Sequence, residues 1–247
     1  LIPEVRYASI YGNLSVVASV NLPEGQLEIS PKVIDFSVDG LRTGPLLMGG
    51  GVCTQERRSK RALLEKSYIA RAVVAAEDPN FFKHDGYSIY EFIDFDIANS
   101  AKLSNVLNQS SITQKLARIV FTDNDQSPVH KLRELLYVME LERTLSKSRI
   151  LGLYLNNAPW GADICGAESA AKHYFKVRAR HLDVTQAIWL AAMLHQPTVE
   201  ANSWRETGQI NTQRVKLVAS KMSHISTQKK EILMRKLSTI NWALVNP

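Results

Sequence analysis

From about Arg61 onward, apolar residues recur at three- and four-residue spacing through ALLEKSYIARAVVAAED, SSITQKLARIV, KLRELLYVMELERTL, KSRILGLYLN, AESAAKHYF and VTQAIWLAAML. That period is the helical one, so this long C-terminal part is expected to fold as an all-α lobe. From Val5 to about Gly51 the pattern differs. VRYASI, LSVVASVNL and VIDFSVDG alternate and are broken by Pro and Gly, which reads as short strands. The glycines at 49–51 read as a flexible joint. The expected division is a β-rich segment over residues 1–60, of unassigned role, followed by a helical domain over 61–247.

A chain of 247 residues with 45% hydrophobic content can bury a sizeable core, which argues against disorder. Lys+Arg 30 against Asp+Glu 24 leaves +6, a sign that suits an anionic partner such as phosphate, nucleic acid or an acidic membrane surface. Cys53 and Cys165 have no metal-ligand spacing and are expected as buried small side chains. No apolar run reaches the roughly 18 residues that would span a bilayer. The chain opens at Leu1 without a signal-peptide pattern, and an upstream anchor or signal is the expectation.

The chemistry-bearing residues start at AAEDPNFFKHDGY, where Glu77 and Asp78 follow the apolar run AVVAA. A carboxylate at the edge of apolar surroundings is desolvated, which makes it a usable base near neutral pH. On the next helix Ser111, Gln114, Lys115 and Arg118 fall at i, i+3, i+4 and i+7. They form one polar stripe opposite Ile112, Leu116 and Ile119, and the plain reading is a solvated helix face. On the helix after it Lys131 and Glu134 lie at i, i+3, with His130 one turn before Glu134, as in an ordinary surface ion pair. His84 alone reads as a hydrogen-bonded structural residue. The spacing Ser226-x-x-Lys229 matches a penicillin-binding nucleophile by chance only.

Five of these segments together carry a resemblance. EDPNFFKHDG fits E-D-x-x-F-x-x-H-x-G, SSITQKLAR is similar to S-T-I-T-Q-Q-L-x-K, and HKLRE to R-K-x-x-E. KSRILGLYLN fits K-x-x-I-L-x-x-Y-L-N, and GADICGAESAAKHYF fits G-x-x-x-x-G-x-E-x-A-A-x-x-Y-F. In this order the motifs resemble those of the peptidoglycan glycosyltransferases of family 51, over about residues 61–220. Gly152, the sequence SKSRILGLYLN and the tail from Arg214 to Met222 are closest to the monofunctional biosynthetic transglycosylases, so no transpeptidase domain is expected.

The resemblance implies a mainly α fold: a lysozyme-like α lobe with a smaller membrane-facing jaw near residues 87–107. In that jaw Phe92, Ile93, Phe95 and Ile97 are apolar while Glu91, Asp94 and Asp96 oppose deep insertion. It implies that lipid II is polymerised into β-1,4-linked glycan with inversion and release of undecaprenyl pyrophosphate. Glu77 is then the general base on the acceptor 4-hydroxyl and Glu134 the second acidic residue, with Asp78 tuning or orienting Glu77. Asp78, His84, Ser111, Thr113, Gln114, Lys115, Arg118, Lys131 and Lys147 are implied to bind substrate, the cations serving the pyrophosphate, on which charge accumulates. No metal is implied as resident, only activation by Mg²⁺ or Mn²⁺. The implied partners are lipid II, the growing glycan strand, the membrane surface and cell-wall synthesis proteins, not nucleic acid. The implied place is the outer face of the bacterial cytoplasmic membrane.

Asn108 and Gln109 replace the family's paired glycines, Lys115 its second Gln and His130 its Arg. These departures keep open a second reading, a catalytically impaired relative that binds lipid II or cell-wall synthesis partners. A third, a lytic lysozyme-like enzyme, is opposed by the basic stripe, which cleavage of a neutral glycosidic bond does not require.

Overall fold

Ser67 holds an extended backbone and accepts the Ala70 N–H on its hydroxyl at 3.4 Å, which starts the first helix, α1 (Tyr68–Glu77). Pro79 ends it. The residue before a proline is pushed out of the helical region, and Asp78 has φ −162° and ψ 78°. The computed structural model describes residues 3–21, 26–41, 43, 66–87, 110–121, 128–223 and 225–239. Within them follow α2 (Ile112–Phe121), α3 (Pro128–Thr144), α4 (Lys147–Asn157), α5 (Ala167–Phe175) and α6 (Val184–Met193). The chain then forms α7 (Pro197–Thr207), α8 (Thr212–Lys221) and α9 (Thr227–Thr239).

The mainly α fold expected from the periodicity is present, and it is consistent with a lysozyme-like lobe. At its centre lies α6, whose residues Ala187 to Met193 are all buried. A helix apolar on every side has no face left for solvent. Against it pack α1 and α8, while α2 lies on α3 and α4. Trp189 of α6 meets Tyr174, Phe175 and Trp204 edge to face at 5.1, 5.2 and 4.9 Å between centroids. Trp160 is buried because its indole N–H reaches the Leu190 carbonyl at 2.9 Å. The helices α7, α8 and α9 escape the apolar-period reading because they are largely polar; α7 buries no residue.

The N-terminal expectation is corrected in detail. Two long strands, β1 (Ser9–Asn21) and β2 (Gln26–Asp39), pair as one antiparallel hairpin from Ser9 opposite Asp39 to Asn21 opposite Gln26. VRYASI begins instead in a 3₁₀ turn, Pro3–Tyr7. Gly12 and Pro31 do not end the strands. In a two-stranded sheet each strand has an open edge, where a missing donor or an irregularity such as that between Tyr11 and Asn13 is tolerated.

The base of the hairpin is fixed to α3. Val38 and Leu41 are buried in the common core, and Glu140, also buried, accepts the Leu41 N–H at 2.7 Å and the Thr43 hydroxyl at 2.8 Å. Arg143 donates to the Val38 carbonyl at 3.1 Å and to the Asp39 carboxylate at 2.7 Å.

Cys165 is disulfide-bonded, which corrects the expectation of a plain buried thiol. Cys53 lies outside the described residues, as do the glycines at 49–51, the expected jaw beyond Tyr87, Asn108 and Gln109. No helix among the described residues is long and apolar enough to cross a membrane.

Candidate active site

The opening carboxylate of the motif sits at the C-terminal end of α1, where the run AVVAA has carried it into the core. Glu77 is only 5% exposed. Its Oε2 takes the Lys115 ammonium from α2, and its Oε1 lies 3.5 Å from Nη2 of Arg214 on α8. The same Nη2 donates to the Ala76 carbonyl at 2.8 Å, so Arg214 also satisfies one of the last carbonyls of α1. Burial and then the Glu77 charge push the Tyr154 hydroxyl well above its ordinary value, so it stays a neutral O–H.

The second carboxylate, Glu134 on α3, is buried and receives both Nε and Nη2 of Arg118 at 2.9 and 3.0 Å. This two-pronged contact matches the planar fork of a guanidinium to a carboxylate. Lys115 and Arg118 are three residues apart on α2 and therefore neighbours on one helix face, with Cβ atoms about 5–6 Å apart. One face of α2 thus presents a cation to each of two buried acids that come from different helices. Both cations keep partial access to solvent, 24% for the Lys115 side chain and 30% for Arg118.

The rest of the polar stripe is not a solvated face. Ser111 accepts the Gln114 N–H at 3.0 Å while Gln114 accepts the Ser111 N–H at 2.9 Å, a reciprocal cap on α2 that leaves both side chains buried. The Ser111 hydroxyl also donates to the Gly86 carbonyl. Asp78 turns from Glu77 toward His84, whose Nε2 lies 2.9 and 3.0 Å from its two oxygens, and toward the Ile112 N–H at 3.1 Å. Because the Gly86 N–H donates to Nδ1 of His84 at 2.9 Å, the proton of this ring belongs on Nε2, facing Asp78. Asp78 and His84 therefore tie the motif loop to the start of α2.

Thr113 is fully buried and donates to Glu142. Lys147, at the start of α4, reaches the same Glu142 oxygen at 2.8 Å and lies 4.6 Å from the centre of the Phe81 ring. Lys131 lies on α3 one turn before Glu134, partly buried. The structure thus brings Glu77, Lys115, Glu134 and Arg118 into one assembly and places Ser111, Gln114, Asp78 and His84 in its scaffold. Sequence reasoning missed Arg214, Tyr154 and Glu142. The first two stand inside motif-like stretches, a signal that marks a position without a role; nothing in the spacing points to Glu142.

A cavity of about 800 Å³ lies elsewhere, lined by Gly161, Asp163, His173, Trp204 and their neighbours. It contains neither of the paired carboxylates nor their cations. Among the described residues no three His, Cys, Asp or Glu side chains group as metal ligands.

Residues 53–223 match the family described as Transglycosylase. The chain is similar to proteins named biosynthetic peptidoglycan transglycosylase. One from Nitrosospira multiformis is 38% identical over 136 residues, covering 53% of this chain and 56% of the relative. One from Paraburkholderia phytofirmans is 36% identical over 154 residues, covering 62% and 63%. One from Cupriavidus pinatubonensis is 42% identical over 129 residues, covering 52% and 51%. The chain thus spans between about half and under two thirds of the length of these curated relatives. With the family match running from Cys53 to Ser223 through both buried acids and their cations, the chain belongs to the transglycosylase family.

Proposed function

We propose that this chain polymerises lipid II into β-1,4-linked glycan strands with inversion, releasing undecaprenyl pyrophosphate. The observation that carries the reading is the pair of buried carboxylates, Glu77 and Glu134, each held by a cation from one face of α2. Glu77 removes the proton from the acceptor's 4-hydroxyl as that oxygen attacks C1 of the donor. Lys115 and Arg118 receive the charge that grows on the departing pyrophosphate.

The arrangement couples these roles. Pyrophosphate oxygens compete for the Lys115 ammonium, and its transfer to them frees Oε2 of Glu77 to act as base only when donor is present. Glu134 anchors Arg118 near the leaving group, and Lys131 adds charge on the same helix. Both carboxylates face cations, which supports a reading without a divalent ion resident between them. We therefore place activation by Mg²⁺ or Mn²⁺ on the pyrophosphate of the substrate. The reaction belongs to an extracytoplasmic membrane surface, where the lipid-linked donor, the growing strand and cell-wall synthesis proteins meet.

The Glu77–Lys115 ion pair also favours one other reading. A base tied to an ammonium describes a relative that binds lipid II without turning it over. Labelled lipid II in detergent separates the two. The expected result is polymer from the unmutated chain and a loss of roughly 10²–10⁴-fold in Glu77→Gln, with a comparable loss in Glu134→Gln. Binding without polymer in the unmutated chain replaces the polymerase reading with the second.

A further inference from the structure

Glu142, near the end of α3, joins two other helices of the site's framework. Its carboxylate takes the hydroxyl of fully buried Thr113 from α2 and the ammonium of Lys147 from α4 at 2.8 Å. It also fills the space beside Gly86. A Cβ built there, at φ +86°, would clash with Glu142 Oε1, so the loop glycine is what admits this carboxylate. The Gly86 carbonyl accepts the Ser111 hydroxyl and the Gly86 N–H reaches His84, so the loop, α2, α3 and α4 converge on one acid.

Lys147 is a long, flexible side chain, yet here its Nζ is fixed from two directions, by Glu142 and by the Phe81 ring face at 4.6 Å. An ammonium has three N–H groups. One is spent on Glu142 and the ring covers another side, so the direction of the third is set. Side-chain exposure is 20% for Lys147 and 12% for Glu142. A pair so placed is shielded enough to stay fixed and open enough to meet an anion.

We infer that Glu142 is a positioning residue that presents the Lys147 ammonium, and with it the first turn of α2, to the pyrophosphate end of the donor. The inference rests on the proposed function. It assigns to Glu142 no contact with substrate, because it acts through Lys147.

The test is a double-mutant cycle of Glu142→Gln, Lys147→Met and both together, read on lipid II affinity and on polymer formation. Each single change is expected to lower kcat/KM by about 10- to 100-fold, the worth of one charge-assisted hydrogen bond. The double variant should fall no further than Lys147→Met alone. Independent, multiplying losses overturn the inference, since a carboxylate that acts through Lys147 has no effect left once Lys147 is gone.

A second readout needs no turnover. In the unmutated chain Lys147 should acylate at least about tenfold more slowly than exposed Lys216 or Lys236, as one charge-assisted bond implies. Equal rates overturn the inference even if Glu142→Gln does not fold. If the unmutated chain makes no polymer, the proposed function fails, while the affinity cycle and the acylation rates still decide the role of Glu142.

Discussion

Replacing Glu140 with alanine should release the N-terminal hairpin from the helical lobe. The carboxylate accepts the Leu41 N–H and the Thr43 hydroxyl, and all three residues are buried, at 5%, 6% and 4% exposure. A hydrogen bond to a charged group contributes roughly 1.5–3 kcal/mol, and each buried donor left unpaired costs about 1–3 kcal/mol. Two such donors would imply up to about 6 kcal/mol, but water can reach them if the hairpin base lifts away. Lifting exposes Val38 and Leu41, at roughly 1.5–3 kcal/mol each, which caps the loss at a similar size. Partial relief at the edge of the lobe brings the expected cost to about 3 kcal/mol, a fall in Tm of roughly 6–12 °C at this chain length.

Urea and thermal unfolding measure the global loss, and amide exchange at Val38 and Leu41 measures local release. If the hairpin lifts first, exchange accelerates there before global stability drops. Glu140→Gln, which keeps an accepting oxygen, should fall between the alanine variant and the unmutated chain. Unchanged stability together with unchanged exchange at both residues would falsify the claim that Glu140 fastens the hairpin.

Gly152 lies inside α4, and a Cβ there would meet nothing within 4 Å, so Gly152→Ala should raise stability by about 0.5–1 kcal/mol through helix propensity. A loss in urea unfolding would contradict this. Burial alone would raise the Glu168 carboxyl, but the hydrogen bond from the Ala179 N–H and the Lys172 ammonium outweigh it and hold the group below its usual value. Its contribution is therefore present above the unfolded carboxyl's titration and is lost as pH falls through the folded value. Glu168→Gln should cost about 1–2 kcal/mol at pH 7 and almost nothing at strongly acid pH, and a pH-independent difference between the two proteins would refute it.

The amino-acid sequence by itself determined the helical lobe, because a 3.6-residue period makes one face apolar whatever it later packs against. It also determined the order of the motifs, and with them the positions of Glu77 and Glu134. It did not determine which polar residues of a stripe meet solvent. Ser111 and Gln114 share a helix face with Lys115 and Arg118, yet the first two close a cap and the last two hold the acids.

That distinction was decided by tertiary structure. Lys115 meets Glu77 across 38 positions of sequence, Thr113 meets Glu142 across 29, and Arg214 meets Glu77 across 137. Helical spacing states which side chains share a face. It cannot state what arrives opposite that face, since the arriving residue is chosen by how α1, α3, α4 and α8 pack. The docking of the hairpin through Glu140 has the same character: a buried acid within an otherwise ordinary helix shows no local sign of the backbone N–H that keeps it there.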